Sequence, residues 1–589
     1  MNFKHLLLHK RNLLIFGALF LLVLITFWPS LFGEFVFWDD DLLVFDNPVV
    51  WAISPWTIWK IFTMYDPELY IPFTFFSYQI NYAISGVDPF VYHLTNALLH
   101  SINALLVIGI SYYLSGKNKV AAIAAGLLFA VHPLHTEAVS WISARKDVLS
   151  TMFFLLSYYV FLRYRESENR RTYIFSILFF LFALFSKVVV VTLPVILLIT
   201  DWYKEGRIKL SRIKDLIPFV ALSFIFGIIA IVGKPGQIGT SSPLEGVLMA
   251  IKSSAFYLGK LILPTRLAVI YPYDLAISIS TPDILVSAVV VVLLFALSVL
   301  LIKKTRLPLF ALLFFLITLA PTFINYRKGF GAADIYFASD RYAYIPSIGL
   351  IILFAILCSV LVNKYKQVVI GLLSVIIALF AYLSFQQSKV WAGSESLFTH
   401  ALSLYPSAQA AHNNLGTVYY RNGALDKAEH HYSEAIEIRP LASTYSNLAT
   451  LYRRKNDLNK SLTLYQKALE VNPSEYDAFF GMGILFAQAG EFERAEFAYK
   501  QAIEVDADNK AKTYLNLGGL YAQFNRYEDA IDQYQLAINI NPFYANAYYN
   551  MGSAYQKLNR KNEAIAAFNN ALRYNPDLEP ARNKLKGLL

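Results

Sequence analysis

Apolar stretches of about twenty residues recur between residues 12 and 386 and then stop. A helical stretch of that length matches the hydrocarbon core of a bilayer. The 589-residue chain is 56% hydrophobic and only 16% charged, against about 25% charged residues in soluble domains. That shortage excludes a wholly soluble chain and a disordered one. Charged residues become frequent from 387 onward, so roughly two-thirds of the chain is expected in lipid and one-third in water.

The candidate spans are 13–33, 91–114, 119–134, 147–163, 172–186, 188–200, 215–232, 282–302, 307–325, 343–363 and 367–386. The pair at 172–200 is broken at Ser186 and Lys187 and also fits one bent helix. The stretch 249–264 carries Lys252 and Lys260 and is expected at the membrane interface. Basic residues orient the set. Lys4, Lys10 and Arg11 precede the first span. Lys117 and Lys119 follow the second, and Arg163, Arg165, Arg170 and Arg171 the fourth. Later clusters are Lys204, Arg207, Lys209, Arg212 and Lys214, then Lys303, Lys304 and Arg306, then Lys364 and Lys366.

With 11 spans every basic cluster falls on one face. The expected topology has a cytoplasmic N-terminus and an extracytoplasmic segment after 386. The net charge of +10 then marks the cytoplasmic face, and no nucleic-acid partner is expected. The start has the charged and apolar parts of a signal peptide, but "WPSLFGEF" offers no small-x-small cleavage site, so an uncleaved first span is expected. The lone Cys358 excludes an internal disulfide or a cysteine-cluster metal site.

From 407 to 576 the sequence repeats at 33 to 35 residues. Small residues recur at Gly416, Ala449, Gly483, Gly518 and Gly552, and again at Ala428, Ser461, Ala495, Ala530 and Ala564. Four residues after the second set come Tyr432, Tyr465, Tyr499, Tyr534 and Phe568, and prolines at 440, 473, 542 and 576 close most units. This is the tetratricopeptide (TPR) pattern of paired antiparallel helices. The expected fold is all-α: a polytopic helical membrane domain of about 11 spans (1–386), a linker and half-repeat (387–406), five units of a TPR α-solenoid (407–576) and a capping helix (577–589). Asn414, Asn447, Asn516 and Asn550 also recur, with Gly481 in the third unit. The concave face of such arrays takes extended chain, and an asparagine amide both donates and accepts. These four are therefore acceptor-peptide candidates, beside the alternative of a helix-start or intra-repeat bond.

Ionisable residues at membrane depth are functional candidates. Four constellations fall on the outer face. "FWDDDLLVFDNP" follows the first span and pairs Asp39 with Asp40, where a carboxylate can serve as a general base or form a solvated turn. The loop holding it, 34–90, contains Asp39, Asp40, Asp41, Asp46, Asp66, Glu68 and Asp88 against a lone Lys60. "HPLHTEAVSWISARKD" holds His132, His135, Glu137, Arg145, Lys146 and Asp147; Pro133 interrupts the histidine pair, and zinc-type spacing is missing. Lys187 lies between two apolar segments, and "FASDRYAYIPS" places Arg341 before a span. Arg145, Lys187 and Arg341 suit a lipid phosphate, or snorkel to the interface.

These strings resemble the transmembrane-and-TPR-repeat proteins and their bacterial relatives within the GT-C superfamily of polyprenyl-phosphate-sugar glycosyltransferases. "FVFWDDDLLVFDNP", "NYAISGVDPFVYHLTNALLH", "HPLHTEAVSWISARKDVLS", "SKVVVVTLPVILLITDW" and "DRYAYIPSIGL" carry the resemblance, which covers about residues 30 to 576. It implies a GT-C-like membrane domain that moves a hexose, mannose in the eukaryotic members, from a polyprenyl phosphate to Ser or Thr hydroxyls. It implies catalysis by Asp39 and Asp40. Residue chemistry and the resemblance together give the expected mechanism: a donor phosphate held by Arg341 with Arg145, Lys187, His132 and His135, and an acceptor polypeptide on the TPR concave face. The expected host is a bacterial cytoplasmic membrane. No cofactor or metal is expected, although the chemistry leaves room for a divalent ion. Ile71-Pro72-Phe73 and Ser186-Lys187-Val188 depart from the family's Arg-Pro-Leu and Ser-Lys-Glu. The competing class is a non-enzymatic TPR membrane scaffold, which needs one span and no outer charge clusters; a lipid-linked precursor transporter would not need the TPR array. On the transferase reading, Asp39→Asn and Asp40→Asn both abolish sugar transfer while the protein still inserts, which a membrane transfer assay checks.

Overall fold

The computed structural model describes residues 10–65, 70–233, 242–273, 275–325, 336–506 and 509–589. Lys4, Asp66 and Glu68 lie outside the described residues. The chain divides into a unit ending at Ala411 and a unit beginning at His412. Among the described residues both units are helical, and the one β-bridge joins Pro272 to Tyr336.

Counting helices longer than ten residues, the first unit contains α1 (Lys10–Thr26), α2 (Pro72–Ser85), α3 (Pro89–Leu114), α4 (Lys119–Val131), α5 (Arg145–Ser167), α6 (Arg170–Ser186) and α7 (Leu193–Glu205). It continues with α8 (Ile217–Val232), α9 (Pro243–Ile262), α10 (Pro282–Leu300), α11 (Leu307–Leu319), α12 (Ser347–Val390) and α13 (Ser394–Leu404). The predicted basic clusters that follow α3, α5, α7 and α10 gather at one end of the bundle. Tyr203 and Lys204, closing α7, donate to the Leu114 and Tyr113 carbonyls at the end of α3, at 3.2 and 3.1 Å. Arg165, near the end of α5, pairs with Asp201 at 2.7 Å and with Asp215 ahead of α8.

By length and apolar composition, four described helices can cross a membrane: Pro89–Leu114, Leu210–Val232, Pro282–Lys303 and Ser347–Val390. A fifth is Lys119–Val131 joined to Pro133–Ser140 through a 54° bend. The other expected crossings fall on shorter or more charged helices; α5, for instance, carries Arg145, Lys146 and Asp147 at one end and Arg163 and Arg165 at the other.

Two expected pairs of spans are resolved as hairpins. The break at 186–188 is real: Lys187 is extended, and a 3-10 turn over Val188–Thr192 separates α6 from α7. Helix α12 is interrupted at Tyr365. Its Ser359 accepts from Asn118, ahead of α4, at 3.1 Å, whereas Ser384 donates to the Val131 carbonyl at the other end of α4, at 2.8 Å. Those two partners lie about 20 Å apart along α4 at 1.5 Å per residue, while a straight helix would separate the serines by about 38 Å. The chain therefore folds back at Tyr365, between Lys364 and Lys366. Helix α9, expected at the interface, buries Leu248, Met249, Tyr257 and Leu258 while Lys252 pairs with Asp283 at 2.9 Å.

The second unit holds five helix pairs, from Gln409–Arg421 with Leu425–Ile438 to Ala545–Lys557 with Lys561–Tyr574, and then Glu579–Lys586. The small residues work as predicted: the Tyr432, Tyr499, Tyr534 and Phe568 rings pack onto Gly416, Gly483, Gly518 and Gly552, leaving no room for a Cβ. The expected half-repeat differs. Helix α13 belongs to the first unit, where Phe398 packs against Trp38 at 5.9 Å and the Ser394 hydroxyl accepts from the Phe37 amide at 2.9 Å.

Close approach of α3 and α4 rests on Gly126, where a Cβ would collide with Ile108 and lie 3.1 Å from the Ala104 carbonyl oxygen. Gly126→Val should cost about 1–3 kcal/mol through overpacking, seen as a lower thermal midpoint of the detergent-solubilised protein.

Candidate active site

The loop after α1 is an ordered module. Leu43, Val44, Val49 and Val50 pack with Ile61, Ile71, Phe75, Tyr78 and Tyr92. The Gln79 amide donates to the Val49 carbonyl at 2.9 Å. Asp40 fixes this module to the turn before α5. One carboxylate oxygen accepts from the Val36 amide at 2.8 Å; the other accepts from the Ser143 amide at 2.8 Å and its hydroxyl at 2.5 Å. Asp40 is fully buried. Burial pushes its carboxyl up to about 7, against the three donors that favour the ionised form. Asp39, one residue earlier, keeps 37% of its side chain exposed and meets Lys146 at 3.5 Å.

Asp39 opens onto a cavity of about 800 Å³. Its charged lining is Asp39, Lys146, Asp147, Lys187 and Arg341. The five come from four kinds of local structure: a loop before one π-helical turn, the first turn of α5 (Lys146 and Asp147), the extended break between α6 and α7, and a 3-10 turn ahead of α12. Lys187 binds Asp147 at 2.6 Å. The Arg341 guanidinium pairs with buried Glu137, and its amide donates to the same carboxylate at 3.1 Å. The guanidinium also lies 4.9 Å from the ring centres of both Trp141 and Tyr342. Lys146 and Lys187 repel each other and Arg341, so the carboxylates and ring faces are what hold three cations around one space. Among the described residues, Asp147 Oδ2 and Arg341 Nε have no hydrogen-bond partner. An apolar wall runs from Leu42, Leu43, Val188, Val189 and Val191 to the end of α8 at Phe226 to Ile231, and hydroxyls of Ser150, Thr151, Thr318 and Thr322 also line the space.

Of the residues expected to hold the donor, Lys187 and Arg341 reach this cavity, whereas Arg145, His132 and His135 do not line it. Arg145 points the other way and is fully buried. Its guanidinium donates to the Asn96 side chain, to Asn81 at 2.9 Å, to Ser77 at 3.2 Å and to the Tyr92 carbonyl at 2.8 Å, binding α2 and α3 to α5. His132 accepts from the Leu134 amide at 3.2 Å, so its other nitrogen donates to the Leu261 carbonyl at 3.1 Å. His135 sits between the Phe129 carbonyl at 2.8 Å and the Ser347 hydroxyl at 2.9 Å. These contacts brace the bundle. The residues that replace them, Lys146 and Asp147, follow Arg145 directly. Successive helical residues point about 100° apart, and sequence alone did not say which of the three faces the cavity.

In the second unit Asn414, Asn447, Asn516 and Asn550 all lie on first helices of their units and are half-buried. The Asn447 amide donates to the Asn413 side chain of the preceding unit at 3.1 Å, and Asn516 donates to the Lys512 carbonyl of its own helix at 2.9 Å. Gly481 replaces asparagine where the Tyr465 ring of the preceding unit fills the space.

A family model described as dolichyl-phosphate-mannose-protein mannosyltransferase matches residues 67–232. That stretch holds Lys146, Asp147 and Lys187. Tetratricopeptide-repeat models match 407–474, 440–508, 518–559 and 545–578. A Caenorhabditis elegans protein O-mannosyl-transferase is 26% identical over 460 residues, 73% of this chain and 63% of that protein. Human protein O-mannosyl-transferase TMTC3 is 31% identical over 157 residues, 24% of this chain and 16% of the human protein. The chain thus spans less than two-thirds of either relative. Among solved structures, the TPR protein YrrB is 20% identical with a TM-score of 0.26, over 32% of this chain and 97% of that one.

The geometry separates the two acids of the pair. Asp40→Asn places an amide NH₂ against donors and should destabilise the protein by about 1–3 kcal/mol, whereas Asp39→Asn, at a half-exposed carboxylate whose one ion pair is with Lys146 at 3.5 Å among the described residues, should lower the thermal midpoint less. Arg145→Met strands Asn81, Asn96 and the Tyr92 carbonyl, and should lower the midpoint more than Lys187→Met does.

Proposed function

We propose that the chain is a membrane protein O-mannosyltransferase of the transmembrane-and-TPR-repeat kind within the GT-C glycosyltransferase superfamily, a reading supported by the mannosyltransferase and TPR family models and the protein O-mannosyl-transferase relatives. It takes mannose from a polyprenyl-phosphate donor and delivers it to Ser or Thr of an acceptor polypeptide, on the extracytoplasmic side of a bilayer with the N-terminus cytoplasmic. The observation that carries this reading is the cavity itself. One accessible carboxylate, three cations and an apolar wall meet in a single space.

Each component of the donor has a counterpart there. The polyprenyl chain lies along the wall formed by Val188, Val189, Val191 and the end of α8. The phosphate faces Lys146, Lys187 and Arg341, whose unpartnered Nε is a free donor. Asp147 Oδ2, equally unpartnered, accepts from a sugar hydroxyl. Asp39 takes the proton of the acceptor hydroxyl as that oxygen bonds to the anomeric carbon. The bond from that carbon to the phosphate oxygen breaks, and polyprenyl phosphate leaves with the electron pair. A single displacement inverts the anomeric centre. The three cations stabilise the charge that grows on the departing phosphate. The TPR unit recruits the acceptor, with Asn414 and Asn550 free of internal bonds among the described residues and Asn447 and Asn516 exchanging theirs for peptide groups.

In membranes supplied with labelled polyprenyl-phosphate-mannose and a Ser/Thr peptide, Asp39→Asn should lower transfer by a factor of about 10² or more, as loss of a general base does. Lys187→Met and Arg341→Gln should each cost about 10²-fold, and Asn414→Ala with Asn550→Ala should raise the peptide KM while sparing the donor KM. Full transfer by correctly inserted Asp39→Asn protein overturns the assignment of the base.

A further inference from the structure

At the end of the bundle opposite the cavity just described, the chain builds a second, cationic concavity of about 500 Å³. Three connections that are far apart in sequence form it: the turn after α3, the end of α7 and the segment between α10 and α11. Its charged lining is Lys204, Lys303, Lys304 and Arg306, and no carboxylate lines it. Leu114 and Tyr203 supply an apolar side.

The contrast with neighbouring charges at this end is informative. Arg165 is held by Asp201 at 2.7 Å, Lys209 by Glu205 at 2.6 Å, and Arg212 by Glu205 and Asp201. Glu166, the carboxylate that acts on Lys204, is engaged by Arg163 at 2.5 Å. Lys204 donates to the Tyr113 carbonyl at 3.1 Å and lies 4.7 Å from the Tyr113 ring centre, with no ion pair among the described residues. Lys303, Lys304 and Arg306 have no ion pair among the described residues, and Arg306 packs against Gly206, whose φ of +79° and missing Cβ leave space for the guanidinium. Four like charges around one hollow repel one another, and an anion seated there removes that cost. The hollow lies at the ends of apolar helices, at the level where lipid headgroups sit, and basic pockets between spanning helices are suited to such headgroups.

We propose that this concavity binds the phosphate of an anionic phospholipid headgroup, a site separate from the transferase cavity and independent of its chemistry. Lysine and arginine forks take the phosphate oxygens, while Leu114 and Tyr203 face the glycerol and upper acyl carbons. Two double variants of the full chain test it in neutral detergent: Lys303→Gln with Lys304→Gln in the hollow, and Lys364→Gln with Lys366→Gln at the Tyr365 turn, which lose the same charge away from it. Native mass spectrometry and thermal unfolding are read with phosphatidylglycerol, phosphatidylcholine and inorganic phosphate. Wild type should retain phosphatidylglycerol over phosphatidylcholine by about tenfold or more. The first variant should lose that preference and the second keep it. Protection by inorganic phosphate alone, lost in the first variant, keeps the phosphate site and assigns it to the free ion. No preference in wild type, or equal loss in both variants, overturns the proposal.

Discussion

The buried Asp40 carboxylate is the interaction on which the site depends. It is fully buried and joins the loop after α1 to the turn before α5 through three hydrogen bonds. Removing a carboxylate from water is expensive, and only full hydrogen bonding makes it tolerable. Because the neighbouring residues are fixed by the same bonds, Asp39 is held at the cavity edge while Lys146 and Asp147 enter from the other side of the joint. The buried acid is what positions the exposed one.

The cavity repeats this logic with charges. Three cations in an apolar setting repel, and each is steadied by a different device: Asp39 for Lys146, Asp147 for Lys187, Glu137 and two aromatic faces for Arg341. The arrangement leaves one oxygen of Asp147 and one nitrogen of Arg341 unpartnered. Buried polar atoms are seldom left so, and a ligand with a hydroxyl and a phosphate would meet both. Lys187, followed by Val188, draws its counter-charge from Asp147 on α5.

Much of the architecture was legible because it depends on periodicity. The TPR helices fall where the 33–35-residue register put them, since each small residue must oppose an aromatic one in its own unit. The break at Lys187 and the turn at Lys364–Lys366 also coincide with interruptions in the apolar pattern. The half-repeat before them did not follow the pattern. "SESLFTHALSLYP" has TPR-like spacing, yet Phe398 finds Trp38, a partner some 360 residues away. Local spacing cannot encode such a contact.

Sequence by itself determined the all-helical build, the division into an apolar and a repeat part, the segregation of basic residues, and the strings that carry the chemistry. Those follow from composition and period, which are local. Only the tertiary structure decided which member of each charged run faces the cavity: Asp39 and not Asp40, Lys146 and Asp147 and not Arg145. It also turned His132 and His135 into braces. Adjacent residues differ by about 100° on a helix, and the direction of that rotation is set by packing partners hundreds of residues distant, which no run of neighbours can specify.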